Sequence, residues 1–555
     1  MSNGYFRLHA RTRPITTRSA VAQQWFDRGL AWTYAYNHEE AVSCFREALT
    51  HDADCAMAWW GVAFAAGPFY NRPWIRYSAA EAAATLTLCG AAAREALARC
   101  ASITPEERAL VEAIVLRYPL DEQPSQETLA RAQDDFAAAM RQAHRAFPDD
   151  ADIAALFCEA AITRTPRRLW NIRTGEPMAG ADSLEAVAVL EGLIAKRERA
   201  DEPPHPGALH VYLHLMEMSP FPEKALKAAD LLRDMALDEG HFHHMPAHIY
   251  VQCGDYAQSV TVSERAVEAD DLYLARMGPE NFYTTARCHD FHLLMYAAMM
   301  AGQFKTALQA ADRIVSTATP DLLDRRRPFM ASILDGYSAM RTHVLVRFGR
   351  WLELAEEAAP PHPELTPMRV AMHAYGKGVA NAALGRIAAA DAARGAFDEA
   401  FAAISEDSVF LSNPTRDILG VAEAMLEGEL EYRKGNHDQA FAALRLAVAR
   451  DDSLNYTEPW AWMHPPRHAL GALLAEQGRF DEAEIAYRED LGLVPGVARC
   501  CQHPDNIWAL TGLLECVDRN GRAEEAGHLR QRLVFARARA DTKIETSCCC
   551  RRATG

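Results

Sequence analysis

The sequence predicts an all-α protein built from stacked helix pairs, and three features of the chain support this prediction. Alanine is abundant and runs of β-branched residues are few, which favours helix over strand. A glycine followed five residues later by an alanine recurs along the chain. The 555 residues exceed what one compact core can accommodate, so a multi-domain protein or an extended repeat array is expected. Because helix pairs bury their apolar faces against neighbouring pairs, we expect one continuous right-handed superhelix.

The glycine–alanine pairs predict the turns between helices. A glycine adopts positive φ in a tight turn without steric cost, and a small alanine lets two helices cross closely. Four such pairs occur, and the last three follow one another at intervals of 43 residues. The pairs are Gly302/Ala307, Gly435/Ala440, Gly478/Ala483 and Gly521/Ala526.

Other local signals predict helix starts, loops and the limits of the repeat region. Thr104 and Glu107 have the spacing of a capping box, which predicts a helix start. Stretches that contain proline predict loops at 119–125, 201–206, 359–367 and 457–466. The predicted parts of the chain are an N-terminal extension at 1–20, a helical repeat region at 21–540 with a His-rich portion at 205–292, and a cysteine-containing tail at 541–555.

Charge and hydropathy limit the partners and the location of the protein. The formal net charge is −17, whereas nucleic acids and anionic membranes attract concentrated lysine and arginine. No segment reaches the roughly 18 uninterrupted apolar residues that cross a bilayer. The N-terminus lacks the apolar core of a signal peptide, and the 13 cysteines have no regular spacing. The sequence therefore predicts a cytoplasmic protein with reduced thiols and with no nucleic-acid or membrane partner.

Histidines are concentrated between residues 205 and 292, where nine of the 21 lie. The first cluster is HPGALHVYLHLME, in which Pro206 is typical of the first turn of a helix. His210 and His214 would then lie four residues apart on one face, with Glu217 one turn further along. Two imidazoles at this spacing can bind one metal ion, and a nearby carboxylate can bind the ion or orient the imidazoles.

The second cluster is HFHHMPAHIY, which begins at His241. On a helix, His241, His244 and His248 share one face, whereas His243 points elsewhere. Pro246 would more naturally begin a helix than interrupt one, which predicts that His244 lies in the preceding loop.

The two clusters are expected to converge, because consecutive helices of a repeat array usually face each other. His289 and His292, three residues apart on the next predicted helix, would complete the group. Imidazole-rich sites suit copper, iron, nickel or zinc, and nearby sulfur favours copper. The sulfur would come from Met216, Met218, Met245 and Cys253. Copper is therefore the expected metal, followed by iron or zinc. The alternative is that each histidine is a hydrogen-bonded core residue.

Three consecutive cysteines, Cys548, Cys549 and Cys550, lie close to the C-terminus. They have two interpretations. A mobile group of thiols can deliver or cap a soft metal ion, or act as a redox relay. Alternatively, the thiols are incidental features of a flexible end.

The chain resembles tetratricopeptide repeat proteins, whose pattern of aromatic residue, glycine, aromatic residue and alanine it meets near both ends. The matching residues are Trp25, Gly29, Trp32, Ala41, Phe45 and Ala48, and then Gly471, Gly478, Ala483, Tyr487 and Pro495. Over nearly its whole length the chain is similar to a group of large tetratricopeptide proteins of bacteria and fungi. Those proteins carry H-P-G-x-x-H-x-x-x-H and H-M-P-[SA]-H-I-[FY] stretches and a short cysteine-containing tail. The resemblance implies the location of a site and no particular reaction.

The leading hypothesis is a metalloenzyme that carries out redox chemistry on a small molecule. Glu217 would bind the metal or accept a proton, and Tyr212 and Tyr250 would donate hydrogen bonds to the substrate. The expected metal ligands are His210, His214, His244 and His248, with His241, His289 and His292 as further ligands or supporting residues. The alternatives are a non-catalytic adaptor that binds a protein or peptide, and a zinc hydrolase with one open coordination position.

Overall fold

The structure is a computed structural model that describes residues 4–119, 124–324 and 328–551. Within these residues the chain is almost entirely helical, and helices that follow one another pack as pairs joined by short turns. The predicted all-α fold of tetratricopeptide-like helix pairs is confirmed. Among the described residues, no helix is both long enough and apolar enough to cross a lipid bilayer.

The chain divides into two compact units, and each takes residues from two stretches of sequence. The first unit comprises Met1–Ile249 and Arg265–Thr284. The second unit comprises Tyr250–Glu264 and Thr285–Gly555. This division is not apparent from the spacing of the glycine–alanine pairs, because those pairs mark turns and not the limits of a core.

Among the described residues, ten helices belong wholly to the first unit. They are α1 (Ala20–Tyr34), α2 (His38–His51), α3 (Ala56–Ala66), α4 (Ala79–Ala98), α5 (Pro105–Leu116), α6 (Gln126–Ala146), α7 (Ala151–Ile162), α8 (Ser183–Arg199), α9 (Pro206–Met216) and α10 (Leu226–Met235). Three helices contain the points at which the chain passes from one unit to the other. They are α11 (Gly240–Gln252), α12 (Tyr256–Met277) and α13 (Tyr283–Met300).

The remaining elements belong to the second unit. Its helices are α14 (Phe304–Thr317), α15 (Pro328–Ser338), α16 (Arg341–Arg347), α17 (Trp351–Glu356), α18 (Pro367–Ala383), α19 (Ile387–Ala402), α20 (Thr415–Lys434), α21 (His437–Ser453), α22 (Pro466–Glu476), α23 (Phe480–Asp490), α24 (Ile507–Arg519) and α25 (Ala523–Arg539). A short antiparallel pair, β1 (Val409–Phe410) and β2 (Asn413–Pro414), precedes α20. Single 3₁₀ turns lie in the second unit at Arg499–Cys501 and Cys549–Arg551, and others lie in the first unit at Trp74–Arg76, Cys100–Ser102 and Pro222–Ala225.

The predicted turns and crossings are confirmed. All four glycines of the glycine–alanine pairs have φ between 72° and 88°, and all four alanines are fully buried. The same left-handed turn recurs at Gly254, Gly349 and Gly385. The predicted capping box is also present, because the Thr104 hydroxyl accepts from the Glu107 backbone N–H and the Glu107 carboxylate accepts from the Thr104 backbone N–H.

A repeated contact between glycine and an aromatic ring sets the distance between adjacent helix pairs. A Cβ atom on Gly29 of α1 would lie 2.6 Å from the Phe45 ring, and one on Gly61 of α3 would lie 2.5 Å from the same ring. Gly471 of α22 makes the corresponding close approach to the Tyr487 ring. A larger residue at the glycine position would therefore clash with the buried ring and push the helices apart.

Candidate metal centre

His205 fixes the start of α9. Its Nδ1 accepts a hydrogen bond from the Ala208 backbone N–H at 3.1 Å, which satisfies one of the free amides of the first turn. Because Nδ1 is the acceptor, Nε2 carries the proton and donates to Asp152 Oδ1 at 3.0 Å. Pro206 occupies the first helical position, as the sequence predicts. His205 therefore acts as a helix cap and not as a metal ligand.

Asp152 is a buried carboxylate that forms hydrogen bonds with the N-terminal segment, with α1 and with the N-cap residue of α9. Its carboxylate accepts hydrogen bonds from the Tyr34 hydroxyl at 2.6 Å and from the Arg11 guanidinium at 2.7 Å, and Arg13 Nη1 lies 3.2 Å away. Burial alone would raise the pKa of Asp152, but His205 and Arg11 hold it well below its usual range. The resulting anion fixes the position of Tyr34.

Gly207 allows α9 to approach α1 closely. A Cβ atom on Gly207 would lie 2.5 Å from Cδ1 of Tyr34, so no other residue fits there without displacing the ring. This approach brings His210 Nδ1 to 2.6 Å from the Tyr34 carbonyl oxygen. A carbonyl oxygen only accepts, so His210 Nδ1 carries the proton and Nε2 presents a lone pair.

His214 is held in the same tautomer by Glu217. Its Nδ1 donates to Glu217 Oε1 at 3.0 Å, which leaves the lone pair on Nε2. The Nε2 atoms of His210 and His214 are buried and have no hydrogen-bond partner among the described residues. Burial lowers the pKa of His214 to about 4 and that of His210 well below its ordinary value. Both imidazoles are therefore neutral at neutral pH, which is the form that binds metals.

Glu217 lies between two histidines. Its Oε1 accepts from His214, and its Oε2 lies 2.6 Å from His248 Nδ1. Burial alone would raise the pKa of Glu217, but the interactions with His248 and His214 hold it below its usual range. His248 Nε2 in turn lies 2.6 Å from His244 Nε2. The fully buried carboxylate therefore orients imidazoles on two helices.

The predicted start of α11 at Pro246 is wrong. The helix begins at Gly240 and continues through Pro246, so His244 lies within the helix and not in a preceding loop. All residues from 241 to 250 are buried, and packing of this kind overrides the weak helix preference of proline. His243 points away from the other histidines, as predicted, and donates from Nε2 to the Leu237 carbonyl at 2.9 Å.

Three imidazoles come together in a geometry that can hold one metal ion. His210, His214 and His241 each offer one ligand atom, and these atoms lie within 4.8 Å of one another. The three side chains are buried. Two of the three come from α9 and one from the first turn of α11, so the fold brings both sequence clusters together within the first unit.

Tyr36 covers this histidine group and was not predicted as a site residue. Its ring centroid lies 4.3 Å from that of His210, 5.6 Å from that of His214 and 5.5 Å from that of His241. Burial raises the pKa of Tyr36 far above its ordinary value, so the phenol keeps its proton. Its hydroxyl has no hydrogen-bond partner among the described residues.

The backbone at Tyr36 is unusual. Tyr36 lies two residues before the start of α2, a position that a left-handed glycine occupies in turns such as those at Gly254, Gly302 and Gly435, yet its φ is 55°. A bulky residue in the left-handed region costs on the order of 1–3 kcal/mol and is concentrated at functional sites. An aromatic residue at a turn position otherwise occupied by glycine is the sequence signal that could have identified it.

Four other predicted site residues are not members of the group formed by His210, His214 and His241. Tyr212 is on α9, but its hydroxyl donates to Glu191 Oε1 at 2.8 Å, on a face that turns toward α8 and away from His210 and His214. Tyr250, His289 and His292 belong to the second unit. The buried His292 ring packs there against Tyr337 and Phe410.

Comparisons with known proteins add only a general similarity. No protein-family model matches the chain. No curated protein matches it. Among solved structures, the chain is similar to the APC/C hetero-tetramer Cut9–Hcn1, with 13% identity over 96% of this chain and 77% of that chain and a TM-score of 0.28. It is also similar to the human IFIT1 dimer with m7Gppp-AAAA, with 11% identity over 94% of this chain and 92% of that chain and a TM-score of 0.31. At these values, neither similarity bears on the site.

Proposed function

We propose that the first unit binds one transition-metal ion through His210, His214 and His241 and uses it in a reaction on a small molecule. One observation carries this proposal: two buried imidazoles have their Nδ1 protons fixed by the Tyr34 carbonyl and by Glu217, and their Nε2 lone pairs lack partners. Metal-binding histidines commonly have this arrangement, in which an outer hydrogen bond orients the ring.

A purely structural role for these histidines fits the contacts less well. Each buried polar atom without a hydrogen-bond partner destabilises the fold by about 1–3 kcal/mol. Two such acceptor atoms lie on adjacent turns of α9, and each carries this penalty. A core histidine normally satisfies both ring nitrogens. A metal ion would satisfy both Nε2 atoms at once.

The donor set favours copper, followed by iron or zinc. Imidazole suits all three metals, and copper binds nitrogen ligands most tightly among the divalent first-row ions. Three imidazoles would leave a coordination position for a substrate or a water molecule. With copper or iron the site would support redox chemistry, which is the function that we favour. Zinc in the same position would instead support hydrolysis.

A pocket next to the histidine group provides a place for the small molecule. Its volume is about 300 Å³, and it lies within the first unit. Tyr36, His38, Phe69, Arg72 and Phe282 are among its lining residues, so Tyr36 is shared by the pocket and the histidine group. We expect the Tyr36 side chain to contact the bound molecule.

The first experiment is elemental analysis of untagged protein, reported as metal per chain, for the wild type and for the variant with His210→Ala and His214→Ala. We expect the double substitution to remove the metal while the helical circular dichroism signal remains. The matched control replaces the exposed residues His51 and His528 with alanine and should keep the metal.

The identity of the metal then separates the functions. Copper or iron supports the redox reaction, and zinc supports the hydrolase. If the double variant keeps the same metal content as the wild type, the proposed site is wrong. If no metal binds even after reconstitution with each candidate ion, a non-catalytic adaptor that binds a protein or peptide becomes the better interpretation.

A further inference from the structure

The cysteine-containing tail is packed into the second unit over residues 541–551, the part of it that the structure describes. Ile544, Ser547 and Cys550 are buried. The Ser547 hydroxyl donates to the His468 carbonyl at 2.9 Å and accepts from the Tyr487 hydroxyl at 2.6 Å. These contacts hold the tail against α22 and α23.

Other side chains hold the tail immediately before and after its three cysteines. Arg347 Nη2 donates to the Ser547 carbonyl at 3.0 Å, and Arg551 Nη2 donates to Glu515 Oε1 at 2.8 Å. The left-handed turn at Gly349 adjoins Cys549, because a Cβ atom on that glycine would lie 2.7 Å from Cys549 Cβ. These contacts therefore fix the position of residues 547–551.

Cys548 and Cys550 form a disulfide in this position, and Glu429 of α20 lies beside it. One carboxylate oxygen of Glu429 and the two sulfur atoms lie within 4.8 Å of one another. Glu429 is only 2% exposed, and its Oε2 has no hydrogen-bond partner among the described residues. The Arg433 side chain acts on this carboxylate only through its charge and does not satisfy Oε2 by a hydrogen bond, whereas a bound cation would satisfy that oxygen.

We propose that reduction of the Cys548–Cys550 disulfide creates a second metal site, in which the two thiolates and Glu429 bind a zinc ion. Two thiolates and a carboxylate are ligands that zinc accepts, and the fourth position would be left for water. This site belongs to the second unit and uses none of the histidines in the first, so it is independent of the proposed function.

Reduction of the Cys548–Cys550 disulfide requires an external reductant, such as a thiol. Two thiols of the reductant supply two electrons and two protons, the Cys548–Cys550 bond breaks to give two thiols, and the reductant becomes a disulfide. The two cysteine thiols then release two protons as they bind the zinc ion. Oxidation reverses the process and expels the ion.

The test uses the full chain in the His210→Ala, His214→Ala background, which removes the first proposed site. Oxidised protein and protein reduced with a phosphine are each equilibrated with zinc, and zinc per chain is measured after removal of the free ion. A chromophoric chelator then gives the affinity by competition. We expect the reduced protein to bind one more zinc ion per chain than the oxidised protein.

Single substitutions assign the ligands. Cys548→Ser should abolish the additional zinc, and Glu429→Gln should weaken its binding at least about tenfold. The matched controls are Cys549→Ser in the same tail and Glu427→Gln on the same helix, and neither should change the additional zinc. Circular dichroism checks that each variant is folded. Equal zinc in both redox states, or additional zinc that persists in Cys548→Ser, would overturn the proposal.

Discussion

Replacing Glu217 by glutamine tests how the first site is oriented. The Glu217 carboxylate has two acceptor oxygens, one bonded to His214 Nδ1 at 3.0 Å and the other 2.6 Å from His248 Nδ1. Glutamine keeps one acceptor oxygen and places an NH₂ donor where the second oxygen was. One of the two imidazoles must then move its proton to Nε2 or lose its hydrogen bond.

The expected loss follows from that geometry. If His214 loses its acceptor, its Nε2 lone pair is no longer fixed toward the metal. Loss of such an outer hydrogen bond typically weakens metal binding by about 10–100-fold, which corresponds to roughly 1.4–2.8 kcal/mol. The fold should persist, because the side chain keeps its size and removal of a buried charge eases its desolvation.

The assay is a competition titration of the reconstituted protein against a chelator of known affinity. Glu191→Gln is the matched control, because Glu191 on α8 is an exposed carboxylate that accepts a hydrogen bond from Tyr212 and is not one of the residues assigned to the metal site. Metal affinity should fall in Glu217→Gln and stay within about twofold in Glu191→Gln. Unchanged affinity in Glu217→Gln, or an equal loss in both variants, would refute the role assigned to Glu217.

Three further predictions concern stability. Gly207→Ala should lower the free energy of unfolding in urea by about 1–3 kcal/mol, because the new Cβ meets the Tyr34 ring. The control Gly192→Ala, on the open face of α8, should not lower it, and equal effects of the two substitutions would contradict the packing argument. Tyr36→Phe should not lower the free energy of unfolding, because the buried hydroxyl has no hydrogen-bond partner among the described residues. A decrease in the free energy of unfolding of more than about 1 kcal/mol would show that the hydroxyl makes a stabilising hydrogen bond. Burial raises the pKa of Asp335 to about 7 from an ordinary value of 3.8, so the folded state retains a proton that the unfolded state releases between these pH values. The free energy of unfolding should therefore fall by roughly 4 kcal/mol between about pH 4 and pH 7 relative to Asp335→Asn, and parallel pH profiles of the two proteins would contradict this.

The fold was predictable because it rests on local rules. A left-handed turn requires glycine, and a close helix crossing requires a small residue, so Gly302 and Ala307 could be assigned to a turn and a crossing from spacing alone. The start of α11 was mispredicted for the opposite reason. The local preference of Pro246 is outweighed by burial of the helix on all sides, and burial is a property of the whole fold.

The candidate site was predictable only in part. Spacing on one helix identified His210, His214 and Glu217, since residues three and four positions apart share a face. The Tyr34 carbonyl that orients His210 lies 176 positions earlier in the chain, and no spacing rule connects the two. For Tyr36 the turn position marks an unusual residue in the sequence, but its place over the imidazoles depends on the packing of α1 against α9.

The central claim is most directly tested by a crystal structure of the metal-reconstituted full chain, with anomalous diffraction recorded at the absorption edge of the bound metal. We predict an anomalous peak in the first unit at about 2.0–2.2 Å from the Nε2 atoms of His210 and His214, with His241 as the third ligand. A fully loaded crystal with no peak at these histidines, or with its metal only at Glu429 and the tail cysteines, would contradict the proposed centre.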